Sequence, residues 1–135
     1  MAQMLRLALA VLIFGAGAAQ AQGLDCDNAM TQQAMNRCAA LELEAADKDL
    51  NAAYAEARGA MRDLDTDLPP GLSGAELALR DAQRAWISYR DKACAAEGFL
   101  MRGGSAEPLL VLGCRLRLTE QRAEDLWSLA EGPEG

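Results

Sequence analysis

With 135 residues, 13 basic against 20 acidic side chains, no His and a formal net charge of −7, the chain is a poor match for nucleic acid or an anionic membrane surface. Its acidity suits a basic protein partner, although it also serves solubility. The length fits one domain with one core.

The first element is a leader. Arg6 precedes an uncharged apolar run, Leu7 to Phe14, and small residues ending in Ala19-Gln20-Ala21 form the small-x-small pattern of a secretory cleavage site. The apolar run is shorter than the roughly 20 residues that span a bilayer. Residues 1–21 are therefore expected to be a cleaved signal peptide, with residues 22–135 forming a single helical domain in the periplasm or outside the cell. Leu24-Asp25-Cys26 is a poor lipidation site, because Asp stands directly before the cysteine, so no stable membrane anchor is expected.

A short lead holds Cys26. Thr31 then reads as a helix N-cap, followed by apolar positions at Met35, Cys38, Ala39, Ala46, Leu50, Tyr54, Ala57, Met61 and Leu64. Gaps of three and four mark one helical face, and the helix is predicted over Thr31–Leu64, with a possible break at Gly59. Asp63–Ser73, which contains Pro69-Pro70-Gly71, is a turn. Ser73-Gly74-Ala75-Glu76 has the pattern of a capping box. Leu79, Ala82, Trp86, Tyr89, Ala93 and Ala96 form the seam of a second helix that stops at Gly98. Gly103-Gly104-Ser105 is the next connection, with Ser105 as cap and Pro108 in the first turn of a third helix. Leu109, Leu112, Leu116, Thr119, Ala123, Leu126 and Ala130 are the seam of that helix. The predicted fold is all-α, an antiparallel three-helix bundle.

All four cysteines, Cys26, Cys38, Cys94 and Cys114, follow the leader. An even number in an exported domain implies two disulfides, with three possible connectivities. Helix register separates them. Aligning the helix ends puts Cys94 about five residues, roughly 7.5 Å, from the level of Cys114, at about 1.5 Å of rise per residue. Joining Cys38 to Cys94 or Cys114 needs a slip of about 10.5 Å or more, against Cα atoms that must come within about 7 Å. Cys94–Cys114 and Cys26–Cys38 are therefore preferred. The same register brings Asp47 beside Arg90, with Asn51 near Ser88, and predicts a polar layer of Asp47, Asn51 and Arg90 between apolar ones. Tyr54, Trp86 and Tyr89 are read as packing residues.

Catalytic and metal chemistry find little support. There is no His, no CxxC, and no evident base beside Ser73, Ser88, Ser105 or Ser128. No enzymatic activity, cofactor or metal is expected.

One set of motifs runs from Cys26-Asp27-Asn28-Ala29 with Thr31-Gln32, Met35-Asn36 and Cys38 to Ala46-Asp47, Leu50-Asn51 and Tyr54. It continues through Ala82-Gln83-Arg84-Ala85-Trp86-Ile87-Ser88-Tyr89-Arg90-Asp91 with Cys94, and ends at Cys114, Leu118-Thr119 and Arg122. In these residues the chain resembles the LprI-type lysozyme inhibitor N-terminal domain family of exported bacterial proteins. The resemblance implies an exported protein-binding domain whose partner is lysozyme or another basic protein. The competing expectation is a non-inhibitory envelope scaffold or partner-binding module. Of the loops, Gly98–Ser105 with Phe99, Met101 and Arg102 is the candidate partner-binding segment, Arg102 being a cation able to approach cleft carboxylates. Asp63–Ser73 is the other candidate.

Overall fold

The computed structural model describes residues 23–133; the expected signal peptide lies outside them. Three helices follow in order, α1 (Gln32–Asp67), α2 (Ala75–Gly98) and α3 (Glu107–Glu131), with a 3-10 turn, Phe99–Met101, between the last two. They form an all-α bundle pinned by two disulfides, Cys26–Cys38 and Cys94–Cys114. No helix among the described residues is long and apolar enough to cross a membrane.

Thr31 caps α1, its hydroxyl accepting from the Ala34 amide at 3.1 Å and satisfying one of the donors that a first turn leaves free. The helix runs on through Gly59 without a break to Asp67, beyond the predicted end at Leu64. Small residues let α1 and α3 approach closely: Ala53 and Ala57 are fully buried, and Ala123 is 1% exposed. Leu50, Leu79 and Leu126 complete the core, with Tyr54, Met61, Trp86 and Trp127 packed against it. Burying one Leu of this kind contributes about 1.5–3 kcal/mol.

The α1–α2 connection is capped from a distance. The helix begins at Ala75, not Ser73, and its N-cap is Gly74 at φ +134°, with no side-chain cap of its own. Left-handed backbone of this kind favours glycine. In place of the predicted capping box, the Asp65 carboxylate on α1 accepts from the amides of Gly74 and Ala75 at 2.7 Å and of Glu76 at 3.0 Å. Glu76 turns outward to receive Arg58 and Arg62. A carboxylate at a helix N-terminus also opposes the positive end of the helix dipole.

These contacts set an acid limit on stability. The backbone donors of Ala75, Gly74 and Glu76 hold the Asp65 carboxyl below its ordinary value, and Arg62 and Arg58 do the same for Glu76. A lowered folded-state value means stability that is complete above the ordinary carboxylate range, about 4, and is lost as pH falls through the lowered values. Acid titration followed by circular dichroism should therefore show a loss of stability below that range. Asp65→Asn should reduce stability at neutral pH and flatten the acid dependence; an unchanged acid profile would mean that the cap contributes nothing.

The predicted seam of α2 holds at Leu79, which is buried, and at Trp86, which packs against the core, but is displaced by one or two residues elsewhere: Ala82, Tyr89 and Ala96 are exposed, whereas Gln83, Cys94 and Gly98 are buried. One residue is a turn of about 100° around a helix. Tyr89, expected to pack between helices, is 61% exposed. The inward face carries Gln83 and Arg90 instead, and both find polar partners there. Gln83 accepts from Arg122 Nε at 3.0 Å, and the Arg90 side chain, 14% exposed, enters the layer described below. At the start of α3, Ala106 occupies the N-cap position and makes no side-chain cap bond, and the helix begins at Glu107. Ser105 is therefore not the cap.

Candidate functional site

The 3-10 turn forms a tip between α2 and α3. Phe99, Leu100 and Met101 are 62%, 80% and 52% exposed, the longest run of consecutive exposed large apolar residues among those described. Exposed apolar residues are ordinary singly; grouped on a projecting turn they point to an interaction surface.

The tip is built on a narrow base. Cys94 and Cys114, both buried, join α2 to α3 with a Cα–Cα distance of 5.4 Å. Above them, a Cβ on Gly98 would come within 2.6 Å of Val111 Cγ2, so glycine is what allows the chain to leave α2 against α3. The turn is closed by hydrogen bonds donated by the Arg102 amide to the Phe99 carbonyl at 3.2 Å and by the Gly104 amide to the Met101 carbonyl at 2.9 Å.

Arg102 is not a free cation. Its Nη1 donates to Glu107 Oε1 at 2.7 Å, and its guanidinium carbon lies 4.7 Å from the centre of the Phe99 ring. The second Glu107 oxygen accepts from the Gly103 amide at 2.8 Å. The Gly103 donor and Arg102 hold the Glu107 carboxyl below its ordinary value. Of the predicted loop residues, the tip thus presents Met101 and Phe99 as exposed apolar surface, one face of the Phe99 ring being met by Arg102, and Arg102 as one half of an ion pair. Leu100 and Glu107 were missed. An acidic residue in the first turn of a helix, five positions after Arg102 and just beyond the Gly-Gly pair, was the available signal for Glu107.

The polar layer lies deeper in the bundle. Arg90 Nη1 donates to Asp47 Oδ1 and to Thr119 Oγ1, each at 3.0 Å, while Nε donates to Asp91 at 3.1 Å. The guanidinium also sits 5.2 Å from the centre of the Trp86 ring, within cation–π range. Thr119, fully buried, stands where Asn51 was expected, and Asn51 is exposed outside the layer. Tyr54 and Trp86 are half-buried against the core. The layer joins all three helices and offers no open site. Among the described residues, no group of three or more His, Cys, Asp or Glu side chains is arranged to hold a metal ion.

Fold and tip define a class of small, all-α, disulfide-pinned domains that present an apolar turn at one end of the bundle. The chain belongs to the family described as lysozyme inhibitor LprI, whose model matches residues 26–126. It is 44% identical over 113 residues to an uncharacterized protein of Rhizobium meliloti (strain 1021), covering 82% of this chain and 81% of that one. It is also similar to the crystal structure of a DUF1311 family protein from Pseudomonas putida KT2440, with a TM-score of 0.64 and 30% identity over 78% of this chain and all of the other.

Proposed function

We propose that this chain is an exported, non-catalytic protein-binding domain that inhibits lysozyme by lodging the Phe99–Met101 tip in the enzyme's cleft. The observation that carries the reading is three consecutive exposed apolar side chains on a turn held between two disulfide-joined helices. Family membership supports lysozyme as the target, and two disulfides suit an oxidising compartment. The net charge of −7 complements a basic enzyme, speeding encounter more than it tightens the complex. With Arg102 already paired to Glu107, tightness falls to apolar burial by the tip.

The test is a lysozyme turbidity assay with purified mature protein. Wild type should slow lysis, and raising the salt should slow association. Leu100→Asp should weaken inhibition by about tenfold or more, since the apolar burial of one Leu is worth about 1.5–3 kcal/mol, without moving the melting temperature. Undiminished lysis at large molar excess of wild type would dismiss the inhibitor reading in favour of a non-inhibitory partner-binding module.

A further inference from the structure

We propose that Glu107 is a positioning residue for binding: its carboxylate clasps the tip and holds Phe99, Leu100 and Met101 in the shape that engages a partner. The inference rests on the tip being the binding element.

Both carboxylate oxygens are committed, one to Arg102 Nη1 at 2.7 Å and the other to the Gly103 amide at 2.8 Å. Glu107 therefore grips the chain at a side chain and at the adjacent backbone, a two-point hold that a single ion pair cannot provide. It acts from a fixed base in the first turn of α3, and its side chain is only 21% exposed, against 64% for Arg102. The backbone it grips needs the hold. Gly103 has φ +78°, in the left-handed region where glycine is unstrained but also free to leave.

The hold passes to the apolar residues through Arg102. Its guanidinium stacks on Phe99 at 4.7 Å, so fixing Arg102 restricts the ring. Hydrogen bonds from the Arg102 amide to the Phe99 carbonyl and from the Gly104 amide to the Met101 carbonyl tie the same backbone to the apolar run. Glu107 also neutralises the one cation of the turn, leaving Phe99, Leu100 and Met101 as its recognition chemistry. Ordering a loose loop on binding costs affinity, and a turn already held in its bound shape avoids that cost.

Chymotrypsin supplies a readout independent of any partner, because Phe99, Leu100 and Met101 are suitable cleavage sites that a clasped turn withholds. Wild type, Glu107→Ala, Glu107→Gln and Arg102→Ala would be digested under native conditions. Fragments would be reduced before mass analysis, since Cys94–Cys114 joins the two sides of the cut. Glu107→Ala should be cut at the tip at least about fivefold faster than wild type, as native-state cleavage tracks the open population, and should inhibit lysozyme correspondingly less. Glu107→Gln, which keeps an acceptor for the Gly103 amide, should fall between the two, and melting temperatures should stay close to wild type. Equal tip cleavage in wild type and Glu107→Ala would overturn the clasp. Faster cleavage with unchanged inhibition would overturn the positioning role. Absence of inhibition by wild type would defeat the choice of lysozyme, while the cleavage rates would still decide the clasp.

Discussion

Arg90→Ala should destabilise the protein by about 2–3 kcal/mol, lowering the melting temperature by about 10 °C for a domain of this size. The change leaves the fully buried Thr119 hydroxyl without its donor and uncovers the face of Trp86. The cost stays below the 3–5 kcal/mol or so of a fully buried pair, because Asp47 and Asp91 are each 42% exposed at the side chain and regain water. Arg90→Lys separates charge from geometry. An ammonium preserves the charge but cannot reproduce a planar fork that reaches Asp47, Thr119 and Asp91 together, so Lys should recover only part of the loss. Thermal unfolding of both variants checks this; a melting temperature unchanged in Arg90→Ala would show that the layer is not structural.

The second large effect is expected from the disulfide that joins α2 to α3. Removing Cys94–Cys114 by paired substitution to alanine should cost about 3 kcal/mol, from the chain entropy returned to the unfolded state. The loop it closes spans 20 residues, and both sulfurs lie in the packed interior. Cys26–Cys38 closes a span of 12 residues at the edge of the domain, with Cys26 exposed. Its loss frees the lead segment while α1, α2 and α3 keep their shared core, so the global effect should be smaller. Calorimetry of the two paired variants should rank them in that order. The Cys94 and Cys114 variant should also lose protection at Phe99–Met101, because the tip is carried between the two helices that this bond joins. A larger loss from Cys26–Cys38 would mean that the lead segment is part of the cooperative unit.

How much of this was legible varied with the kind of interaction. Apolar spacing located three helices, since the stripes of α1 and α3 are carried mainly by apolar residues. Rise per residue chose between disulfide schemes, because a covalent bond tolerates only a short Cα separation. Register arithmetic alone brings Arg90 beside Asp47, whose side chains meet at 3.0 Å. Yet apolar spacing placed Tyr89 inside, because a ring counts as core and an arginine does not. The face of α2 that turns inward carries Gln83 and Arg90, and burying it is favourable only because Arg122, Asp47 and Thr119 meet those groups from the other helices.

At the candidate site, exposure on the 99–101 turn followed from the glycines that bound it, but the state of Arg102 did not. A cation on a Gly-flanked loop reads as free until the first turn of α3 is known to fold back beneath it. Asp65 presents the same difficulty: it looks like one more solvated acid at the end of α1, and becomes a cap only when residues 9 to 11 positions later turn back to meet it.

By itself, the amino-acid order determined the helical class, the covalent scheme and the location of the exposed turn, all of which rest on local spacing. Only the tertiary structure decided which face of α2 is buried, what caps α2 and what holds the tip. The reason is that the cost of burying a polar group, or the freedom of a charged one, depends on the partner that reaches it. Here those partners come from other helices, or from across a turn, where periodicity within one helix carries no information.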